Sequence, residues 1–233
     1  RRSPICDDSV YQGVNLIRAG RGVAPLAFTH PKKIKQSILA LGADLKNSIC
    51  LSKDNKSYLS PHIGDLYNFP TFLDLKKQIN KFSSLLKIKP DVIAVDLHPN
   101  YFSSNLGREL SKEKGIKLIE VAHHHAHALS AMAEYNLEEA FALTFDGTGY
   151  GPDGTLWGGE LLHVFPGSFK RLACLKPFLL PGGEQAIKNP NRQLLARYIE
   201  MGLDVDDEIL KKICEKKINT FRTSSVGRLF DQV

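Results

Sequence analysis

His123 and His127 stand one helical turn apart in AHHHAH, residues Ala122–His127, and four of the eight histidines of the chain fall within five positions there. On a helix, side chains at i and i+4 share a face with Cβ atoms about 5–6 Å apart. Both imidazoles can then reach one metal ion at about 2.0–2.1 Å. The intervening residues are His-His-Ala, without the glutamate of an HExxH zincin, which argues against that class of hydrolase. HxxxH alone also suits a polar helix face, so the pattern needs a second element. Asp146 supplies it: this aspartate ends an apolar stretch and opens DGTGYGPDG, where Gly147, Gly149, Gly151 and Gly154 permit unusual backbone conformations. A turn over Gly147, Thr148, Gly149 and Gly151 would aim successive N–H groups at a phosphate. An Asp-Gly pair also makes a plain hairpin, but four glycines followed by WGGE exceed what one hairpin needs. Two imidazoles and one carboxylate suit iron or zinc better than magnesium, which prefers oxygen ligands.

The elements that must position these residues follow from hydrophobic spacing. SILALGADL and NSICLS read as two strands of a small antiparallel meander, with Asp54-Asn55 as punctuation before SYLS. Phe72, Leu75, Ile79, Phe82 and Leu86 recur at helical spacing, which predicts a helix over Thr71–Lys87. DVIAVDL and GIKLIEVA are short apolar runs of the buried-strand kind, separated by a helix over Ser103–Lys114 that Gly115 ends. The histidine helix runs from about Ala122 to Tyr135, and Asp96 and His98 are expected to pin the neighbouring strand end. Such alternation predicts a partly parallel α/β sheet. A second strand, glycine turn and strand then follow in FALTFDGTGYGPDGTLWGGELLHV, with SFKRLACLKPF as a third strand. Gln185–Met201, then Asp206–Lys217, whose KKICEKK run reads as a solvated helix face, and a tail, SSVGRLFDQV, complete the chain. Both meanders share one layout, which predicts two related half-folds.

Composition narrows the class. The 233 residues carry 42% hydrophobic side chains, enough for a sizeable core, and no run nears the ~20 apolar residues of a membrane span. The expected compartment is the cytoplasm. Cys6, Cys50, Cys174 and Cys214 form no CxxC pair, so no zinc ribbon or thioredoxin-like motif is expected. The net charge of +6 resides largely in lysine runs such as PKKIK and KKICEKK, so a nucleic-acid partner is not expected. RRSPICDDSV and IRAGRGVAPLAF read as the edge of an upstream domain and an arginine- and glycine-rich connector.

Taken in order, a set of stretches resembles the C-terminal transferase part of the HypF carbamoyltransferases of nickel–iron hydrogenase maturation. They are DDSV at Asp7–Val10, RGVAP at Arg21–Pro25, LGADLKN at Leu41–Asn47, YLSPHIGDL at Tyr58–Leu66 and DLHPNYFS at Asp96–Ser103. HHHAH, FDGTGYGPDGTLWGGE, PGGEQAIKNPNR at Pro181–Arg192 and SSVGRLFD at Ser224–Asp231 continue the series. The resemblance implies a duplicated actin-like ATPase (ribonuclease H-like) α/β fold, its first half complete and its second truncated. Residues 1–30 would be the tail of a YrdC-like domain and a linker, 31–137 the first half and 138–233 the second.

The implied activity passes a carbamoyl group from carbamoyl adenylate, made from carbamoyl phosphate and ATP, to the C-terminal cysteine thiol of the partner HypE. There it becomes a cyanide ligand. His123, His127 and Asp146 match the family's ligands for a divalent metal, iron or zinc, with a further aspartate ligand expected beyond Val233. The turn at Gly147–Gly151 would hold the adenylate phosphate, and Gly158, Gly159 and Glu160 would line the carbamoyl side. Lys46 and Asn47, in the matching turn of the first half, would neutralise phosphate. His124 would accept the thiol proton, or be a histidine at the surface or behind the ligands. The alternatives are a related tRNA threonylcarbamoyl or antibiotic O-carbamoyl transferase, and an inert module that docks the partner's tail.

Overall fold

The structure is a computed structural model that describes residues 8–232, so Cys6 and the start of the expected upstream tail lie outside the described residues. The chain divides into two compact units, Arg1–Val121 and Ala122–Val233.

The first unit opens with an antiparallel hairpin of β1 (Val10–Gln12) and β2 (Asn15–Arg18). Next come β3 (Leu26–Ala40), β4 (Cys50–Leu59), α1 (Phe69–Leu86), β5 (Val92–Asp96), α2 (Phe102–Lys114) and β6 (Lys117–Val121). The sheet order is β4-β3-β5-β6. β3 and β4 pair antiparallel, whereas β3 with β5 and β5 with β6 pair parallel, as a meander followed by strand–helix–strand crossovers requires. Leu39, Leu41, Ile49, Leu51, Leu75, Ile79, Phe82 and Ile93 form its core. The helical spacing of Leu75, Ile79 and Phe82 thus becomes the buried face of α1. Tyr101 gives α2 no side-chain cap; the Asp44 carboxylate, from the loop after β3, accepts the N–H groups of Phe102 and Ser103 instead.

Two expectations change here. The supposed connector has strand at both ends, in β2 up to Arg18 and in β3 from Leu26, where Leu26–Thr29 pair with Lys56–Leu59. Asp54-Asn55 does not end a strand either: β4 runs through it, with Asp54 at φ +55° and the register shifting opposite.

The second unit begins with the histidine helix α3 (His123–Glu134), followed by β7 (Ala140–Tyr150), β8 (Leu156–Phe165), β9 (Ser168–Cys174) and β10 (Phe178–Pro181). Then come α4 (Glu184–Lys188), α5 (Pro190–Glu200), α6 (Glu208–Glu215), β11 (Thr220–Thr223) and α7 (Val226–Phe230). The sheet order is β10-β11-β8-β7, with β9 also paired to β8. Ala128 and Met132 of α3 pack on Trp157, Leu162 and Val164 of β8. That burial groups the histidine helix with the second unit, which begins at Ala122. Helices α4 and α5 are separate, broken where Pro190 lacks an N–H and restricts Asn189. The tail is structured as well, as α7. No strand pairs with the outer edge of β7 among the described residues, whereas β3 has strands on both sides. No described helix is long and apolar enough to cross a membrane.

Candidate metal centre

The glycine turn expected after Asp146 is strand. Ala140–Tyr150 is continuous β7, and the chain reverses only at Gly151–Thr155, where Gly154 has φ +77°. The irregularity lies within the strand. Phe145 pairs with Gly159 and Gly149 with Trp157, so four steps on β7 face two on β8. Such a bulge re-aims side chains out of the regular alternation, and Asp146 lies in it.

Asp146 thereby meets α3. Its Oδ2 lies 3.2 Å from His123 Nε2, and His123 Nε2 lies 3.2 Å from His127 Nε2. One ligand atom from each of the three residues falls within 4.8 Å of the others. Two nitrogens bound to one ion at about 2.0–2.1 Å in tetrahedral geometry stand about 3.3 Å apart, so the imidazole pair needs almost no rearrangement. Asp146 Oδ2 is buried and faces the His123 imidazole, and Oδ1 accepts the Gly147 N–H at 2.6 Å. An ionised oxygen closed off from water and facing two imidazoles is what a divalent cation needs. These residues fit such an ion.

Burial pushes the Asp146 carboxyl upward, but the hydrogen bond and charge of His123, the Gly147 N–H and the His124 charge outweigh it and hold the group at about 2. His124 moves the other way. Burial, then the charge of His123, lowers it to about 4 against the pull of Asp146 and Glu160. It is 1% exposed, both ring nitrogens lack hydrogen-bond partners, and Nε2 is 3.8 Å from Asp146 Oδ2. So placed, the ring is not offered to an incoming thiol; it stands behind the carboxylate, beside Trp157 at 5.9 Å.

Because His124 is neutral in the fold, its contribution to stability is complete above about pH 6.5. It declines as pH falls toward about 4, where the unfolded chain takes up a proton that the folded one refuses. Asp146 stays ionised across that window. For the metal-free chain, urea unfolding at pH 7.5 and 4.5 is expected to show a loss of about 2–3 kcal/mol from this residue. His124→Asn should remove that part of the slope; an unchanged slope would contradict the assignment.

Two family models match the chain: the HypF Kae1-like domain over residues 33–134, and the second subdomain of the carbamoyltransferase Kae1-like domain over 142–233. The chain belongs to the HypF family. It is 37% identical to the carbamoyltransferase HypF2 of Cupriavidus necator, over 97% of this chain and 30% of that protein. With the probable carbamoyltransferase HypF of Methanocaldococcus jannaschii it shares 36% identity, over 98% and 32%. A crystal structure of full-length HypF in a phosphate- and nucleotide-bound form superposes with a TM-score of 0.89 at 40% identity, covering 97% of this chain and 38% of that one. The HypF of T. kodakarensis superposes at 0.86 with 33% identity, over 97% and 33%. The fold is thus the actin-like, ribonuclease H-like one. The chain spans about a third of the length of these curated relatives.

Within this HypF-type frame, the other expected site residues separate. Gly149 is a close-approach glycine: a Cβ there would lie 2.5 Å from His124 Cε1 and 2.8 Å from His123 Cδ2. Gly149→Ala is therefore expected to push α3 off β7 and weaken metal binding on the order of tenfold or more. A chelator titration giving wild-type affinity would contradict this. The N–H groups of Gly147 and Gly151 already serve Asp146 Oδ1 and the Thr155 carbonyl, so an anion nest over Gly147–Gly151, with Thr148 in it, does not describe this backbone. Gly158 and Gly159 admit the backbone of Ser225 and Ser224.

Glu160 is 1% exposed, and its carboxylate accepts from the Gly158 and Gly159 N–H groups, Ser224 Oγ and, at 2.6 Å, Arg171 Nε. It braces the site from beneath. Lys46 and Asn47 belong to the first unit. Lys46 is exposed with φ +50° and its N–H on Asp65 Oδ1, while buried Asn47 donates Nδ2 to the Leu41 and Ala43 carbonyls and pins its own loop. Sequence spacing did not single out Arg171, Trp157, Ser225 or Arg228, which reach this region from β8, β9 and the SSVGR segment.

Proposed function

We propose that this chain is the carbamoyl-transfer portion of a HypF-type enzyme. It takes the carbamoyl group of carbamoyl adenylate, formed from carbamoyl phosphate and ATP, and passes it to the C-terminal cysteine thiol of HypE. The observation that carries this reading is the convergence of His123, His127 and Asp146 within 4.8 Å, in a chain matched by carbamoyltransferase domain models. A nucleotide substrate is supported by the phosphate- and nucleotide-bound form of the similar solved structure.

In the transfer, the cysteine sulfur bonds to the carbamoyl carbon and the bond from that carbon to the phosphate oxygen breaks. AMP leaves and the thiol proton passes to a base or to water. His123, His127 and Asp146 would hold a divalent iron or zinc ion, which supplies Lewis-acid polarisation when bound. Asp146 is ionised at neutral pH and needs no deprotonation to serve. Neutral His124 fills the space behind it and keeps water from the buried oxygen. Gly149 lets α3 approach closely enough for the imidazoles to share the carboxylate's side of the sheet.

The test supplies metal-loaded chain with preformed carbamoyl adenylate and a cysteine-terminated peptide, and reads the peptide by mass spectrometry. Carbamoylated peptide is expected with the wild type and not with His127→Ala. Its absence from the wild type and also from a chain extended to the length of the relatives would defeat the proposal.

A further inference from the structure

The bulge that presents Asp146 interrupts the pairing of β7 with β8 between Phe145 and Gly149. Backbone groups freed from a ladder must find partners elsewhere, and a neighbouring segment supplies them. Ser225, 0% exposed, is the N-cap of α7. Its Oγ lies 2.8 Å from the Asp146 carbonyl and 2.5 Å from the Gly147 carbonyl, and accepts the Arg228 N–H at 3.1 Å. A hydroxyl has a single proton to donate, so the two carbonyls share it. Arg228 Nε donates to the Gly147 carbonyl as well, at 3.2 Å, and the Arg228 guanidinium is held by Asp231.

The approach is too close for side chains. A Cβ on Gly227 would stand 2.8 Å from Gly147 Cα, and one on Gly158 2.6 Å from the Asp146 carbonyl and 2.9 Å from Ser225 Cα. The segment is itself anchored, Ser224 N–H on the Leu156 carbonyl and Ser224 Oγ on Glu160. None of these contacts touches Asp146 Oδ2. They act on the backbone that carries it.

We propose that Ser225 is a positioning residue for the Asp146 carboxylate: by tying the Asp146–Gly147 backbone to the start of α7, it sets where Oδ2 meets His123. The inference rests on the metal reading of His123, His127 and Asp146 for its consequence, though not for its geometry. Outer groups that orient a metal ligand change affinity by about 10–100-fold when removed.

The experiment compares the full chain with Ser225→Ala and with Asp207→Ala. Asp207 caps α6 through the Leu210 N–H at 2.8 Å, so its loss weakens a helix of the same unit without touching the bulge. Zinc affinity is read by chelator competition, and amide hydrogen exchange at Gly147 and Thr148 is read on the metal-free chain. Ser225→Ala is expected to lower zinc affinity about 10–100-fold and to speed exchange at Gly147 and Thr148. Asp207→Ala should leave both unchanged. Wild-type affinity in Ser225→Ala, or an equal loss in Asp207→Ala, would overturn the proposal. A wild type that binds no zinc would remove the metal reading instead. Exchange then decides alone: equal rates in wild type and Ser225→Ala would overturn the positioning role, and faster exchange in the variant supports it.

Discussion

His127→Ala is expected to abolish stable metal binding: close to one ion per chain in the wild type, dialysed against a moderate chelator, and close to none in the variant. The reason lies in the geometry. His123 and His127 place their Nε2 atoms 3.2 Å apart, and Asp146 Oδ2 stands 3.2 Å from the first of them. Three protein ligands with one open position are the pattern of catalytic sites; two leave an ion held mainly by water. The loss should exceed the about 10–100-fold that follows removal of an outer orienting group, which ranks it above Ser225→Ala and Gly149→Ala. His127 is on the exposed side of α3, so its truncation opens no cavity and the fold should survive. Unchanged circular dichroism with lost metal is the expected pair of results. Elemental analysis showing equal metal in both proteins would contradict it.

Arg171→Ala is expected to have the largest effect on stability. Glu160 is buried completely at its side chain, and Arg171 answers its charge at 2.6 Å while also bonding Asp153 and Ser224 Oγ at 3.1 Å each. The same guanidinium lies 4.2 Å over the Trp157 ring. Removing one partner of a buried ion pair leaves the other charge uncompensated, which typically costs about 3–5 kcal/mol. Arg171→Ala should therefore lower the unfolding free energy by about that amount. Adding Glu160→Gln should recover part of it, because the stranded charge is gone. Urea titration of the three chains measures this. A loss below about 1 kcal/mol in Arg171→Ala would show that the pair behaves as an exposed surface bridge does.

The histidine helix and the β5–α2–β6 crossover were legible because their periods are strong and their ends marked, α2 by Gly115 at φ +64°. Of the candidate metal ligands, the i,i+4 imidazoles were readable from spacing alone. Asp146 was visible as a strand end beside glycines, the second element that HxxxH needed, and the resemblance implied that all three are ligands. The role of those glycines was misread for a physical reason. Glycine permits positive φ, but it also permits contact, and a sequence does not say which is used. Here Gly147, Gly149 and Gly151 are within or at the end of a strand, and Gly149 serves the approach of α3. Arg171, Ser224 and Ser225 were hidden because their partners are 11, 64 and up to 79 residues away in sequence. No local period encodes a contact of that length. The first part of β3 was missed for a similar reason: its residues carry no strong alternation and are fixed by pairing with β4.

On the proposed reading, His123, His127 and Asp146 together hold one ion. X-ray absorption on the metal-loaded full chain tests it most directly. Two imidazole nitrogens and oxygen ligands at about 2.0–2.2 Å are expected. A first shell containing sulfur at about 2.3 Å, or a spectrum without imidazole, would contradict it.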